Sequence, residues 1–371
     1  MKNLLYLCAA ILLVSCCAPK LKVEVSNPSQ IDRHHETIEI AWSELDARNF
    51  SPESVVVLLD EEEIPSQVLF DSQKEPLALI FQSSVAAEEC KTYIIKEGTP
   101  AHYPAKAYGR YVPERLDDYA WENDKVAYRA YGPALETAPG EMLSTPGFDC
   151  WVKSVDTLVV DARYRRGNYH HNYGDGMDCY KVGRTLGAGA SAPYVDDKLW
   201  LSGNYAQWET LNNGPIRTTV KLTYAPFAVE EKQVKLTKYI SLDAHSHFNR
   251  IENIYEGDFE TLTIAAGFVR HELKALTSTE EWLGFVEAAS DSKDPAADGD
   301  LFFGVIQPGA EFRAEVAGHA VSLSEVESGT PMVYYAGSGW SQGGVKDMRH
   351  WMEILETTAA SVSNPLEVNI L

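Results

Sequence analysis

Between Arg163 and Gly189 the sequence packs together side chains that can bind an anion and move a proton. It reads Arg-Tyr-Arg-Arg-Gly-Asn-Tyr-His-His-Asn-Tyr-Gly-Asp-Gly-Met-Asp-Cys-Tyr-Lys-Val-Gly-Arg-Thr-Leu-Gly-Ala-Gly. Arg163, Arg165, Arg166, Lys181 and Arg184 make a basic island in a chain whose net charge is -22. Arginine grips a planar carboxylate through two parallel hydrogen bonds, so a carboxylate or sulfate on a substrate is the natural guest. Arg163, Arg166, Lys181 and Arg184, joined by Arg250, are the expected substrate-binding cations. His170 and His171 point to opposite sides if the backbone is extended, one to a pocket and one to the scaffold. His171 then shares a face with Tyr173, as an acid/base pair would. Imidazole titrates near neutrality, at about 6.5, so His170 or His171 can take a proton, and Tyr173 or Tyr180 can protonate a departing hydroxyl. The glycines permit sharp turns, and loops on a β-scaffold are where binding residues gather.

Two further groups have the right chemistry. Asp243-Ala-His245-Ser-His247-Phe-Asn-Arg250 contains an H-x-H spacing that puts both imidazoles on one face of a strand, where they could hold zinc. His245 and His247 are thus the expected metal ligands, with Asp175 and Asp178 as conceivable additions. No cofactor is fixed by the sequence, and a divalent metal is the one option it leaves open. Trp121, within Asp117–Asp124, could form a sugar platform, and His271-Glu272 is a third polar pair. There is no Walker loop, no G-x-S-x-G elbow and no dinucleotide fingerprint before a helix.

These residues need a scaffold, and the pattern is β throughout. Leu21–Val25 and Glu36–Ile40 alternate with the period of half-buried strands, followed by short apolar runs at 55–59, 67–70, 77–81 and 92–95. Residues 17–98 therefore read as a small β-domain packed on, or continuous with, the main sheets, and 99–107 as a linker. Residues 108–371 read as a large β-sandwich that carries the catalytic residues. Its strands are expected at 126–131, 218–224, 233–242, 248–255, 261–268, 301–306, 321–323 and 331–336, with 348–356 either strand or short helix. Many antiparallel strands with few helices imply large stacked sheets. Asp291–Asp300 reads as an acidic loop without a functional signal.

Thirty-two basic residues against fifty-four acidic ones exclude nucleic acid as a partner, since phosphate binding needs a basic footprint. Residues 1–16 have the form of a signal peptide: Lys2, an apolar run from Leu4 to Val14, then Leu13-Val14-Ser15-Cys16, which resembles a lipobox. The resemblance implies that Cys16 is lipidated and tethers the protein to a membrane. Lys20 and Lys22 stand where surface-exported lipoproteins often carry acids, so a periplasm-facing anchor is expected, with the cell surface as the alternative. Cys90, Cys150 and Cys179 remain in the folded body, and an oxidising compartment would permit one disulfide among them.

Three segments carry a family likeness: Arg115–Asn123, Tyr169–Gly187 and His247–Arg250. They resemble a family of unnamed-domain lipoproteins from the polysaccharide-utilisation loci of Bacteroidetes, over nearly all of the chain after the tether. The resemblance implies an all-β, large antiparallel sandwich, similar to the mutarotase-like supersandwich. One branch of that family acts as a dehydratase on ulvan oligosaccharides, so the partner it implies is an acidic oligosaccharide. The expected reaction is elimination of water from a non-reducing-end uronic acid. A non-catalytic glycan-binding lipoprotein and a polysaccharide lyase that cleaves uronic-acid glycans are the alternatives.

Overall fold

The computed structural model describes residues 19–371, so the signal-like segment with Cys8, Cys16 and Cys17 lies outside the described residues. The chain is all-β, built from antiparallel sheets stacked face to face. The amino-terminal part forms a five-stranded sheet against a three-stranded one, with Leu21, Val23, Ile38, Ile40, Leu79 and Phe81 packed between them. The last strand, Glu367–Ile370, returns to pair with Lys20–Ser26, so the chain's end closes this unit. Leu366 joins its core. Alternation explains the strand Lys20–Ser26: Leu21, Val23 and Val25 are buried while Lys20, Lys22 and Glu24 face outward or sit partly exposed.

The larger body stacks three sheets. A nine-stranded sheet runs from Tyr205–Asn212 to Leu273–Ser278, and a five-stranded sheet centres on Thr261–Val269. A second five-stranded sheet has the order Gly176–Asp178, Phe148–Lys153, Ala127–Ala130, Asp118–Glu122, Tyr108–Val112. The run at 348–356, ambiguous between strand and helix, is part of a helix, Met348–Ser363. Asp347 caps it by accepting from the His350 N–H, and Trp351 and Leu355 bury against the nine-stranded sheet. Cys90 is exposed while Cys150 and Cys179 are buried, and all three are free thiols, so the permitted disulfide does not form. Cys150 instead donates to Ser338 Oγ at 3.1 Å.

One buried charge sits far from any partner. Lys238, on the strand Lys232–Asp243, is 0% exposed and its Nζ has no hydrogen-bond partner among the described residues. It lies 4.9 Å from the Phe148 ring and 5.2 Å from the Tyr224 ring. Burial pushes its ammonium down to about 7. Between that value and the unfolded lysine's, near 10.4, the unfolded chain binds a proton the folded one does not, so stability rises with pH across the window. From pH 7 to pH 9 the gain should be about 2 kcal/mol in urea titrations, relative to a Lys238→Met variant. An equal pH slope in the two proteins would sink this reading.

Candidate functional site

The site grows from the alternation of the second five-stranded sheet. Tyr119, Trp121, Tyr128, Ala130, Phe148, Cys150, Val152 and Met177 all pack into the main core. Because side chains alternate, Asp118, Glu122, Arg129, Asp149, Lys153 and Asp178 share the other face. That face would ordinarily meet water. Here a helix, Val160–Arg166, and the segment after it cover the face, and all six are buried. Cross-strand register puts Arg129 directly opposite Asp149 and Trp151 opposite Asp178.

Glu122 anchors the cover. It accepts from the N–H groups of Val159 and Val160 at 2.7–2.9 Å and from Lys153 Nζ at 2.9 Å. An acid at a helix start satisfies donors that have no partner within the helix. The helix stops at Gly167, whose φ of 80° suits glycine. Arg163 then donates to the carbonyls of Val152 and Asp175, pinning the returning chain. Gly176 completes the return: its φ is +99°, and a Cβ there would lie 2.1 Å from the Val152 oxygen. Residues 163–189 are thus not one loop, since helix and strand frame the short segment 167–175.

The result is a guanidinium surrounded by acids. Arg129 Nε donates to Asp149 at 2.6 Å, Nη2 to Asp178 at 3.1 Å, and Nη1 lies 3.5 Å from Asp118. The rings of Tyr131, Trp151 and Tyr169 lie 5.1–5.3 Å from its carbon. Burial opposes the charge on Arg129, but the acids around it, Asp149 foremost, hold its pKa above the usual arginine value. Burial pushes Asp118 up to about 6, although Arg129 and Arg115 pull the other way. Burial, then repulsion from Asp149, also puts Asp178 well above the ordinary carboxylate range.

Tyr169 links this cluster to the surface. Its ring stacks on Trp151 at 4.8 Å, and its hydroxyl accepts from Arg129 Nη1 at 3.2 Å and from Arg115 Nε at 3.0 Å. Arg115 also donates to Glu141 at 2.6 Å, while its buried Nη1 has no hydrogen-bond partner among the described residues. His170 follows, half exposed, with its ring 4.9 Å from that of Tyr169. Its Nδ1 lies 3.2 Å from the Asp178 carbonyl oxygen, 3.7 Å from Asp178 Oδ2 and 3.7 Å from Asp291 Oδ2.

The residues expected from sequence divide sharply around this centre. His170, His171 and Tyr173 all lie on the segment 167–175, and His171 meets Tyr173 edge-on at 4.6 Å, both exposed. Arg166 covers the Tyr173 ring at 4.4 Å and pairs with Asp175 at 2.9 Å. Lys181 is exposed, its backbone N–H on Ser290 Oγ, and Arg184 donates to the Ser144 carbonyl, near Glu141 in sequence. Tyr180 is a correction: it is 2% exposed and donates to the Gly187 and Val269 carbonyls, so it holds the core rather than a leaving group. Arg163, 1% exposed and committed to two carbonyls, is a staple and not a substrate grip.

Trp121 is likewise no sugar platform. It is 1% exposed, packed on Tyr128 and bonded to Asn249. Arg250 pairs with Glu252 and lines a separate groove of about 490 Å³ with Glu39, Arg217 and Lys221, to which no residue of 163–189 contributes. His245 and His247 do not share a strand face. They occupy the turn between strands ending at Asp243 and beginning at Phe248, with His245 at φ 67°. His245 pairs with Asp124 at 2.8 Å, whereas His247 Nδ1 faces the Ser338 carbonyl and burial pushes it down to about 4. His271 pairs with Glu287 at 2.8 Å rather than with Glu272. Sequence reasoning missed Arg115, Arg129, Tyr169 and Asp291; a charge inside an apolar strand, Ala-Tyr-Arg-Ala, was the available signal.

Uncharacterized protein P7 from Formosa agariphila is 29% identical over 400 residues, spanning 99% of this chain and 98% of its own. Among solved structures, a protein in the Glycosyl Hydrolase Family 38 from Enterococcus faecalis superposes with a TM-score of 0.54 at 8% identity, covering 95% of this chain. An alpha-mannosidase from Enterococcus faecalis gives 0.47, also at 8% identity and 95% coverage. The chain spans about half the length of these two structures, 47% and 46%. The first likeness concerns the fold alone. The profile of a domain of unknown function, DUF4861, matches residues 25–368, and the chain belongs to that family.

Proposed function

We propose that the protein is a carbohydrate-active lyase-type enzyme, a dehydratase that removes water from the non-reducing-end uronic acid of an acidic oligosaccharide. One observation carries the reading: the Tyr169 hydroxyl accepts hydrogen bonds from two guanidiniums, and one of these, Arg115, is 23% exposed and holds Glu141 through its Nη2. A substrate carboxylate would replace the exposed Glu141 on that nitrogen. The fold shared with a protein in the Glycosyl Hydrolase Family 38 is in keeping with a sugar substrate, and the segments Arg115–Asn123, Tyr169–Gly187 and His247–Arg250 resemble the family that includes ulvan oligosaccharide dehydratases.

The chemistry is elimination. A base takes the proton from the carbon beside the carboxylate, the electron pair forms the new double bond, and the neighbouring hydroxyl leaves as water after gaining a proton. The negative charge that develops on the carboxylate side is met by Arg115. Tyr169, its oxygen fixed by two donors, is the proton-transfer group, and Trp151 holds its ring in place. His170, His171, Tyr173, Lys181 and Arg184 supply the polar rim that orients the sugar. The same reading has the chain anchored through lipidated Cys16, facing the periplasm.

Incubation with uronic-acid-terminated oligosaccharides tests the reading. Rising ultraviolet absorbance with loss of one water and the chain intact is the expected result. Shortened products would make the protein a polysaccharide lyase, and binding with neither signal would make it a glycan-binding module.

A further inference from the structure

We propose a divalent-cation site formed by His170, Asp178 and Asp291. One donor atom from each side chain lies within 4.8 Å of the others. His170 Nδ1 lies 3.2 Å from the Asp178 carbonyl oxygen and 3.7 Å from each carboxylate oxygen; with the ring proton on Nε2, Nδ1 turns its lone pair toward these three oxygens and the ion among them. Metal–ligand bonds of roughly 2.0–2.2 Å place neighbouring ligands about 3 Å apart in octahedral sites and about 3.5 Å in tetrahedral ones. The distances of 3.2–3.7 Å from Nδ1 lie at or slightly above these spacings, so small side-chain movements bring the donors around one ion.

A second observation points the same way. Asp178 is 1% exposed, yet its Oδ1 has no hydrogen-bond partner among the described residues. The oxygen facing His170 is Oδ2, which also accepts from Arg129, so a cation recovers the cost of the bare Oδ1 by binding both carboxylate oxygens.

The ligands are held in place before any ion arrives. The Asp178 N–H donates to the Tyr169 carbonyl at 2.8 Å, and the Asp291 N–H to the Cys179 carbonyl at 2.9 Å, which ties the second acid's loop to the first acid's strand. Asp291 is half exposed, so water completes the coordination from outside. Three oxygens and one nitrogen form a hard donor set that favours manganese, magnesium or calcium over metals that seek thiolates.

The site does not rest on the dehydratase reading, and a protein that binds the ion without turning over sugar leaves it standing. Titration of the full chain with Mn²⁺, followed by electron paramagnetic resonance, should show one bound ion with a dissociation constant on the order of 10⁻⁶–10⁻⁴ M. His170→Ala and Asp291→Asn each alter a half-exposed side chain, and each should weaken binding roughly tenfold or more with circular dichroism unchanged. Absence of bound Mn²⁺ at millimolar concentration, or equal affinity in the wild type and both variants, overturns the proposal.

Discussion

Tyr169→Phe is expected to lower turnover of a uronic-acid oligosaccharide roughly 10²–10⁴-fold, the range removed when a positioned proton-transfer group is lost. The phenyl ring keeps its stacking on Trp151, so the fold survives. The cost in stability should be about 1–2 kcal/mol, because Arg115 and Arg129 each lose one acceptor. The drop should appear in kcat with KM little changed, since the carboxylate grip by Arg115 remains. Arg115→Gln should raise KM and lower kcat together, because Arg115 both grips the carboxylate and meets the charge that develops on it. His171→Ala, assayed alongside, separates two assignments. Full activity in Tyr169→Phe with loss in His171→Ala would move proton transfer to the exposed pair His171 and Tyr173.

Arg129→Ala should cost about 3–5 kcal/mol in urea unfolding at pH 7, the largest loss expected of any single change in the sheet. Arg129 is 5% exposed and is the cation shared by Asp118, Asp149 and Asp178. Its removal leaves buried acids that must take up protons or repel one another. Adding Asp149→Asn to Arg129→Ala should therefore recover part of the loss, about 1–2 kcal/mol, although it deletes a second native group. A loss below about 1 kcal/mol for Arg129→Ala, or no recovery in the double variant, would mean that Arg129 does not hold the cluster together.

Much of the architecture was legible because a strand's side chains alternate whatever lies above it. Alternation at Leu21–Val25 and Glu36–Ile40 marked real strands, as did the runs from 218 to 268, although the last of these, Thr261–Val269, lies in a different sheet from the others. The run at 348–356 resisted because Trp351 and Leu355 lie four residues apart, a spacing that suits either a helix face or, by parity, one face of a strand; packing on the nine-stranded sheet decided it. The closing strand Glu367–Ile370 is mostly exposed and carries little hydrophobic signal, so its pairing with Lys20–Ser26 is a long-range event that local sequence does not encode.

The same division runs through the site. Sequence by itself determined the inventory: a basic, histidine- and tyrosine-rich segment in an acidic chain, and a sheet with charges on one side of its strands. It could not determine whether those charges face water. The helix Val160–Arg166 covers them and buries Arg163, while Tyr180 packs against Phe303 and Asp291 reaches His170 from a distant loop held by the Cys179 carbonyl. His245 and His247 part because a turn replaces the strand assumed from their spacing. Local alternation is set by backbone geometry, whereas burial and meeting of distant side chains depend on which surfaces stack, and only the tertiary structure fixes that.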